Sequence, residues 1–386
     1  MSVTTRLLAI LLTLLGCLFP AKHWLREERV ATGRTFVVPP ARLETNTSPF
    51  FRAEFISPEA FTHSVHVASI CETPDGRFFA AWYGGTREGA KDVKIFLSVC
   101  EPGTDDAWSA PRPVASVESA EAELKRPIRK VGNAVLFAGG AGQLGLIYVT
   151  ISIGGWSGSS LNFKTSRDAG QTWSATRRLT LSPFFNISEL VKNNPLPLSD
   201  GSWAAPIYHE LLGKFSEVLW LSFAADGGEV SWKKTRVSGG RTGFQPALVA
   251  VNPHEALALL RDYGSDQQIH LARSLDAGQS WQSLTLTGLP NPHSGLDAIR
   301  LSDGRILLAV NDNTKDRSDL SLVVSNDGGR TWVRRAVIER EPGSEFSYPY
   351  LIQSRDSLVH LVYTWKRERI KHVAFNTAWL DSSQNQ

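Results

Sequence analysis

Polar and apolar positions along this chain fall into two regimes. The first is one apolar run, Leu7 to Ala21, with a short polar segment ahead of it (Met1 to Arg6) and Lys22, His23, Arg26 and Arg29 behind it. The second repeats six times: a polar residue followed by Pro, Ala or Val, an apolar strand, a tight turn, and a second apolar strand ending on polar or aromatic residues. The leading residues are His66, Asn133, Asn194, Gln245, Asp297 and Tyr348. Pro74-Asp75-Gly76, Ser199-Asp200-Gly201 and Ser302-Asp303-Gly304 supply the turn chemistry that joins paired strands. The pattern therefore predicts six hairpins. The start of a hairpin's first strand and the end of its second lie together. The leaders thus share one face with Trp82-Tyr83, Thr150, His209, Arg261-Asp262, Asn311-Asp312 and Trp365.

A second repeat sets the architecture. Ser166-Arg-Asp168-Ala-Gly170-Gln-Thr172-Trp173 recurs as Ser274-Leu-Asp276-Ala-Gly278-Gln-Ser280-Trp281 and Ser325-Asn-Asp327-Gly-Gly329-Arg-Thr331-Trp332, with degenerate copies ending at Trp108 and Trp232. In such an octapeptide the Ser and Asp side chains bond backbone groups across a turn, Gly takes dihedrals that other residues resist, and Trp packs beneath. The five tryptophans are spaced about 50 to 65 residues apart, the length of a four-stranded propeller blade. The expected fold is all-β, a six-bladed β-propeller over residues 62–380, preceded by a linker (30–61) and followed by a short tail (381–386).

Composition narrows the function. Twelve Trp, 31 Gly and 20 Pro suit a turn-rich folded chain, and a net charge of +3 without a Lys/Arg run lacks the footprint of a nucleic-acid binder. Cys17, Cys71 and Cys100 are too few and too scattered for a disulfide scaffold or a zinc site, so no metal or cofactor is implied. Cys71 and Cys100 read as two buried small residues, with one disulfide as the alternative. The apolar run makes residues 1–29 a signal-anchor or transmembrane segment, since no small-x-small cleavage site follows it. Leu14-Leu15-Gly16-Cys17 loosely matches a lipobox, which leaves secreted and lipoprotein readings open. The expected location is a membrane, the bacterial inner membrane facing the periplasm, with the propeller mouth held near the bilayer.

The repeated octapeptides are Asp boxes, and with the polar rim they resemble the sialidase (neuraminidase) superfamily. The BNR-repeat sialidase-like group is matched further by His63-Ser64-Val65-His66-Val67-Ala68-Ser69, by Gly84-Gly85-Thr86-Arg87-Glu88-Gly89-Ala90-Lys91-Asp92-Val93 and by Ser347-Tyr348-Pro349. The resemblance implies three arginines on a substrate carboxylate, an Asp acid/base and a Tyr nucleophile assisted by a Glu. A neutral Tyr escapes the repulsion that a carboxylate nucleophile would meet from the substrate's own carboxylate, and arginine forks fit planar carboxylates. By position, Arg261 and Arg317 match the second and third arginines, and Tyr348 the nucleophile, with Tyr350 a weaker candidate. Asp92 matches the acid/base, with Glu88 in the same loop as the alternative. Two positions depart from the pattern: His66 replaces the first arginine, and Gln245, which cannot accept a proton, replaces the assisting Glu. His66, His63 or Glu345 then stand as replacement bases, and Arg126 or Arg129 as the third cation; Asp297, Asn194 and Trp365 complete the expected rim.

These readings converge on an exo-acting glycoside hydrolase removing a terminal 2-keto-3-deoxy acidic sugar from an acidic glycan or glycolipid. The sugar is of the sialic acid type, or is Kdo on lipopolysaccharide. Kdo hydrolases of the bacterial inner membrane resemble this chain in having a sialidase-like subunit with an N-terminal anchor, which also raises a small membrane partner subunit. Two other classes remain open: a non-catalytic propeller binding anionic glycan in the cell envelope, and a polysaccharide lyase using Tyr348 with a histidine.

Overall fold

The computed structural model describes residues 33–40, 48–101, 107–139, 143–181, 186–211, 213–223, 230–237 and 242–383. The expected anchor over residues 1–29 and the lipobox-like motif lie outside them. Among the described residues no helix is long and apolar enough to cross a membrane.

Six antiparallel sheets form the six blades. Their first strands are Ser64–Glu72, Lys130–Ala138, Glu189–Val191 (continued by Leu196–Pro197), Gly243–Ala250, Asp297–Arg300 and Phe346–Gln353, and these neighbour one another around a ring. Each first strand pairs with its second, and in the three expected turns Gly76, Gly201 and Gly304 adopt φ of 86°, 79° and 95°. These strands are apolar along most of their length because both faces are covered; Leu144–Ile151, for one, is buried without a break. The three full Asp boxes close the third-to-fourth strand turns as expected. In the first, the Ser166 hydroxyl accepts from Gly170 N at 2.7 Å, the Asp168 carboxylate accepts from Thr172 N at 2.9 Å, and Trp173 Nε1 donates to Gly170 O at 3.1 Å. All three lie at the end of the molecule opposite the leaders, which separates an Asp-box face from a mouth face.

Three boundaries differ from the sequence reading. Phe51–Phe55, expected in a linker, is the outer strand of blade 6, in register with the last strand from Phe51↔Phe375 to Phe55↔Lys371. It is recruited by aromatic contacts, Phe51 on Trp379 at 4.5 Å and Phe55 on Trp365 at 5.3 Å. The ring is thus closed by pairing residues from opposite ends of the described chain. Residues 34–40 are no free linker either: Phe36 is buried and bridges Leu198 on the Asp-box face. At the other end Thr377–Ser382 forms a helix capped by Asn376, across the expected propeller-to-tail boundary. Cys71 and Cys100 are buried and not joined to each other, with the strand Phe78–Gly85 between their strands.

The propeller axis is held by a residue the hairpin pattern did not single out. Lys192 is 1% exposed, and its ammonium donates to Asn193 Oδ1 (2.5 Å), Leu296 O (2.9 Å) and Pro349 O (2.5 Å). Three donors meet three acceptors, so the charge is fully solvated by protein from blades 3, 5 and 6. Asn193 extends the tie to blade 4 by donating to Pro246 O at 2.9 Å. Burial pushes the Lys192 ammonium pKa down, while Asp297 nearby works against that shift. Lys192→Met leaves two buried carbonyls without donors and a buried carboxylate without its counter-charge. It is expected to cost about 3–5 kcal/mol, the range for breaking a buried ion pair. Chemical denaturation measures this, and adding Asp297→Asn should restore part of the loss.

Candidate active site

In four blades the first strand is interrupted by a bulge just inside the mouth: the register shifts between His66 and Ser69, Gly132 and Val135, Phe244 and Ala247, and Ser347 and Tyr350. One residue in each takes positive φ, namely Val67 (48°), Asn133 (44°), Gln245 (51°) and Tyr348 (54°). Such bulges re-aim a side chain, and for three non-glycine polar residues the conformation is one that needs support from its surroundings. The register also corrects the alignment of the leaders. In blade 1 the leader position belongs to Val67, and His66 stands one residue earlier, level with Phe244 and Ser347.

Tyr348 is the centre of the mouth. Its partly exposed ring packs over Gly295, where an added Cβ would come within 2.8 Å of Cδ1. The Arg317 guanidinium lies over the ring at 5.3 Å, and the His66 imidazole stands edge-on to it at 4.7 Å. Burial pushes the phenol pKa up, but the positive charges of Arg261 and Arg317 outweigh that and bring it below its ordinary value of 10.0. Arg261 is aimed by Gln245, whose Oε1 accepts from Nη1 at 2.9 Å while its Nε2 donates to Tyr208 Oη at 3.0 Å. Gln245 is therefore a buried bridge between Arg261 and Tyr208, set in the bulge next to Phe244, the residue that pairs with Arg261. The Arg261 Nε–H is buried with no acceptor among the described residues. His66 donates or accepts at Nδ1 with Thr364 Oγ1 at 3.1 Å; burial, then the charges of Arg367 and Arg317, keep its pKa well below 6.5, so the ring is neutral.

A second tier of charges supports this group. Glu345 accepts from Arg317 Nη1 at 3.2 Å, Ser347 Oγ at 2.7 Å and Arg367 Nε at 2.7 Å, and Arg367 Nη1 reaches Glu88 at 2.7 Å. Arg367 is the third guanidinium of the mouth, in place of the expected Arg129, which is exposed and joins the sheet through its backbone to Ile151 O. Lys366 and Arg367 take φ of 53° and 59° in a two-residue hairpin turn, which throws the Arg367 side chain inward. The charged run Lys366-Arg367-Glu368-Arg369 directly after a second-strand end was the available signal.

The other expected residues divide. Glu88 is near enough to act on the Tyr348 phenol electrostatically, whereas Asp92 is exposed and its carboxylate caps Thr86 of its own loop, accepting from the backbone N at 2.8 Å. Asn194 and Tyr350 meet each other below the mouth, Tyr350 Oη to Asn194 Oδ1 at 3.2 Å, and Asp297 accepts from Leu351 N at 2.8 Å beside Lys192; all three are axis supports. Asn133 donates to Val191 O at 3.1 Å between blades 2 and 3. Trp82 and Asn311 are buried, and Thr150 accepts from Asn162. Trp365 and His63 line a separate cavity with Phe55, Glu59 and Arg369. Asp262 turns away from the mouth to His270 Nε2 at 2.9 Å. With Asp266 these form a three-residue group close enough to hold a metal, but the Asp262 oxygens already accept from Gly264 N and Gln267 N.

The fold matches known proteins. The family model described as BNR repeat-like domain matches residues 76–361. The chain belongs to the BNR repeat-like family. Among solved structures, this BNR repeat-like protein is similar to the Hadza microbial sialidase Hz136 (18% identity, TM-score 0.69, covering 83% of this chain and 68% of that one). It is similar also to the leech intramolecular trans-sialidase (14% identity, TM-score 0.66, 86% and 71%). A protein of unknown function from Dyadobacter fermentans is similar over nearly all of its own length (15% identity, TM-score 0.66, 84% and 99%). No curated protein sequence matches. At these identities the likeness establishes the sialidase-like propeller fold.

The Glu345 carboxyl is strongly perturbed. Burial would raise its pKa, but the hydrogen bonds from Arg367 and Ser347 and the charge of Arg367 bring it to about 2, against an ordinary 4.5. A carboxyl lowered on folding stabilises the fold above its unfolded pKa, and that contribution is lost as the pH falls through its folded pKa. The wild-type Tm should therefore fall from about pH 4.5 towards 2 more steeply than that of Glu345→Gln, and the variant should be the less stable of the two at pH 7. Thermal melts across this range measure the difference.

Proposed function

We propose that this BNR repeat-like protein is an exo-acting glycoside hydrolase that removes a terminal 2-keto-3-deoxy acidic sugar, with Tyr348 as nucleophile. The observation that carries this reading is the phenol placed between two guanidinium groups, Arg261 and Arg317, at the mouth of the propeller. Such a pair suits a substrate carboxylate next to the reacting carbon. The same charges favour the phenolate, so attack by Tyr348 does not depend on a carboxylate at position 245. The phenol oxygen bonds to the anomeric carbon as the glycosidic bond breaks, and the leaving oxygen takes a proton from a carboxyl of the 86–92 loop. Water then attacks the anomeric carbon, releasing the free sugar and restoring the phenol. The phenol proton passes to water as the phenolate forms and returns when the phenol is restored.

Incubating the purified full chain with sialyl-lactose and with detergent-dispersed Kdo-lipid A, and measuring released acidic monosaccharide, tests the reading and separates the two sugars. Release from one substrate is expected. Tyr348→Phe and Arg261→Met should each lower it at least about a hundredfold, the scale of a lost nucleophile or transition-state contact. Gly295→Ala, which pushes on the Tyr348 ring, should lower kcat with the melting temperature little changed. Asp92→Asn and Glu88→Gln identify the proton donor, because the donor variant loses activity on poor leaving groups and keeps it on activated aryl glycosides. No release of any acidic sugar by the wild type sinks the enzyme reading.

Gln245 in place of a carboxylate favours one second reading, a propeller that binds an anionic glycan without cleaving it. Binding of sialyl-lactose without release, abolished by Arg261→Met, is the result that distinguishes it.

A further inference from the structure

The described N-terminal segment meets the propeller on the face opposite Tyr348. Residues 34–40 lie as a strap across the Asp-box face. Pro39 O accepts from Arg300 of blade 5, Val37 N donates to Pro197 O at 2.9 Å, and Phe36 N donates to Pro253 O at 2.9 Å. The Phe36 ring lies beside Gly278 of the second Asp box, where an added Cβ would come within 3.1 Å of it. Followed towards the N-terminus, the strap runs outward over blade 3, where Arg34 Nε pairs with Asp200 at 2.5 Å and its Nη2 reaches Ser222 Oγ. The strap is therefore anchored at both its inner and its outer end, and the chain leaves the propeller on the Asp-box face.

Eleven residues, 22–32, separate the apolar run Leu7–Ala21 from Gly33. Fully extended they reach at most about 36–40 Å, and as a flexible chain roughly 17–20 Å. Lying the mouth against a bilayer that holds the apolar run requires this linker to climb the whole blade. The first strands of blades 1 and 2 have nine residues each, a height of about 30 Å at ~3.3 Å per residue. The chain must also pass the outer strand of blade 3, about 5 Å further out. Only a taut linker spans that route, and its conformational entropy opposes it.

Given the acidic-sugar reading of the mouth and an apolar run seated in a membrane, we propose that the propeller stands with its Asp-box face towards the bilayer and Tyr348 facing away. Its substrate class is then an acidic sugar at the end of a soluble glycan, or of a chain long enough to rise above the propeller. A sugar lying at the headgroup level of the same bilayer is out of reach. This reverses the expectation that the anchor holds the mouth near the membrane.

The test uses the full chain, with Cys17 replaced by Ser, reconstituted in liposomes that carry an energy-acceptor lipid. A donor dye is attached at Ile153→Cys, on an exposed loop of the mouth face, or at Asn252→Cys, on an exposed turn of the Asp-box face. Transfer several-fold stronger from position 252 than from 153 is expected. Equal or stronger transfer from 153, or failure of the chain to enter liposomes, overturns the proposal. In the same liposomes sialyl-lactose in solution should be cleaved and a short acidic glycolipid in the bilayer should not; preferential cleavage of the glycolipid also overturns it. The dye measurement does not require activity, so loss of all hydrolysis counts against the enzyme reading alone.

Discussion

The buried ammonium of Lys192 is the constraint on which the mouth depends. A central channel surrounded by first strands leaves some backbone carbonyls facing inward, without a strand partner to satisfy them. Lys192 takes two of these, Leu296 O and Pro349 O, and passes the tie through Asn193 to blade 4. Pro349 directly follows Tyr348, so the lysine also holds the strained backbone that aims the phenol upward. Burying the charge is costly, and the three matched acceptors together with Asp297 offset that cost. The channel is thus an electrostatic hub below and a reactive mouth above, joined at one residue pair.

Above the hub, positive charge is distributed in a graded way. Arg317 and Arg367 share Glu345, and Arg367 also holds Glu88, so their charges are largely compensated within the protein. Arg261 is different: it donates to the neutral amide oxygen of Gln245 and makes no ion pair with a carboxylate among the described residues. Arg261 is therefore the guanidinium best able to take up an incoming carboxylate. A glutamate at position 245 would compensate that charge; glutamine leaves it available to the phenol and the substrate. The two departures from the sialidase pattern are connected in this way. With His66 neutral and the third arginine supplied from blade 6, the mouth keeps three guanidinium groups without one at the head of blade 1.

Much of this was legible in the sequence, and the misses share a cause. The Asp boxes and hairpin turns are local, built from side chains that bond backbone within five residues, so blade number and strand order could be read directly. Tyr348, Arg261 and Arg317 were legible because their places in the repeat are fixed by it. Phe51–Phe55 was not, since its partner strand lies some 320 residues away in the chain, and a single short strand carries no periodic signal. The bulges shift register by one residue without marking the sequence, which is why His66 was taken for the leader in place of Val67. Polar leaders such as Asn133, Asn194 and Asp297 looked like rim residues because a hydrogen-bonded axis and a binding site use the same residue types. Lys192 and Arg367 were hidden for a related reason: each is a long cation next to a turn or bulge, where direction is set by backbone dihedrals that the sequence pattern does not show.

The central claim is that Arg261 and Arg317 hold the Tyr348 phenol in a state ready to ionise. Tyrosinate absorbance, titrated in the wild type and in Tyr348→Phe and subtracted, isolates this one phenol among seven tyrosines. The account predicts a midpoint below the ordinary 10.0 that moves up in Arg261→Met. A midpoint at or above 10.0, or one indifferent to Arg261, would contradict it.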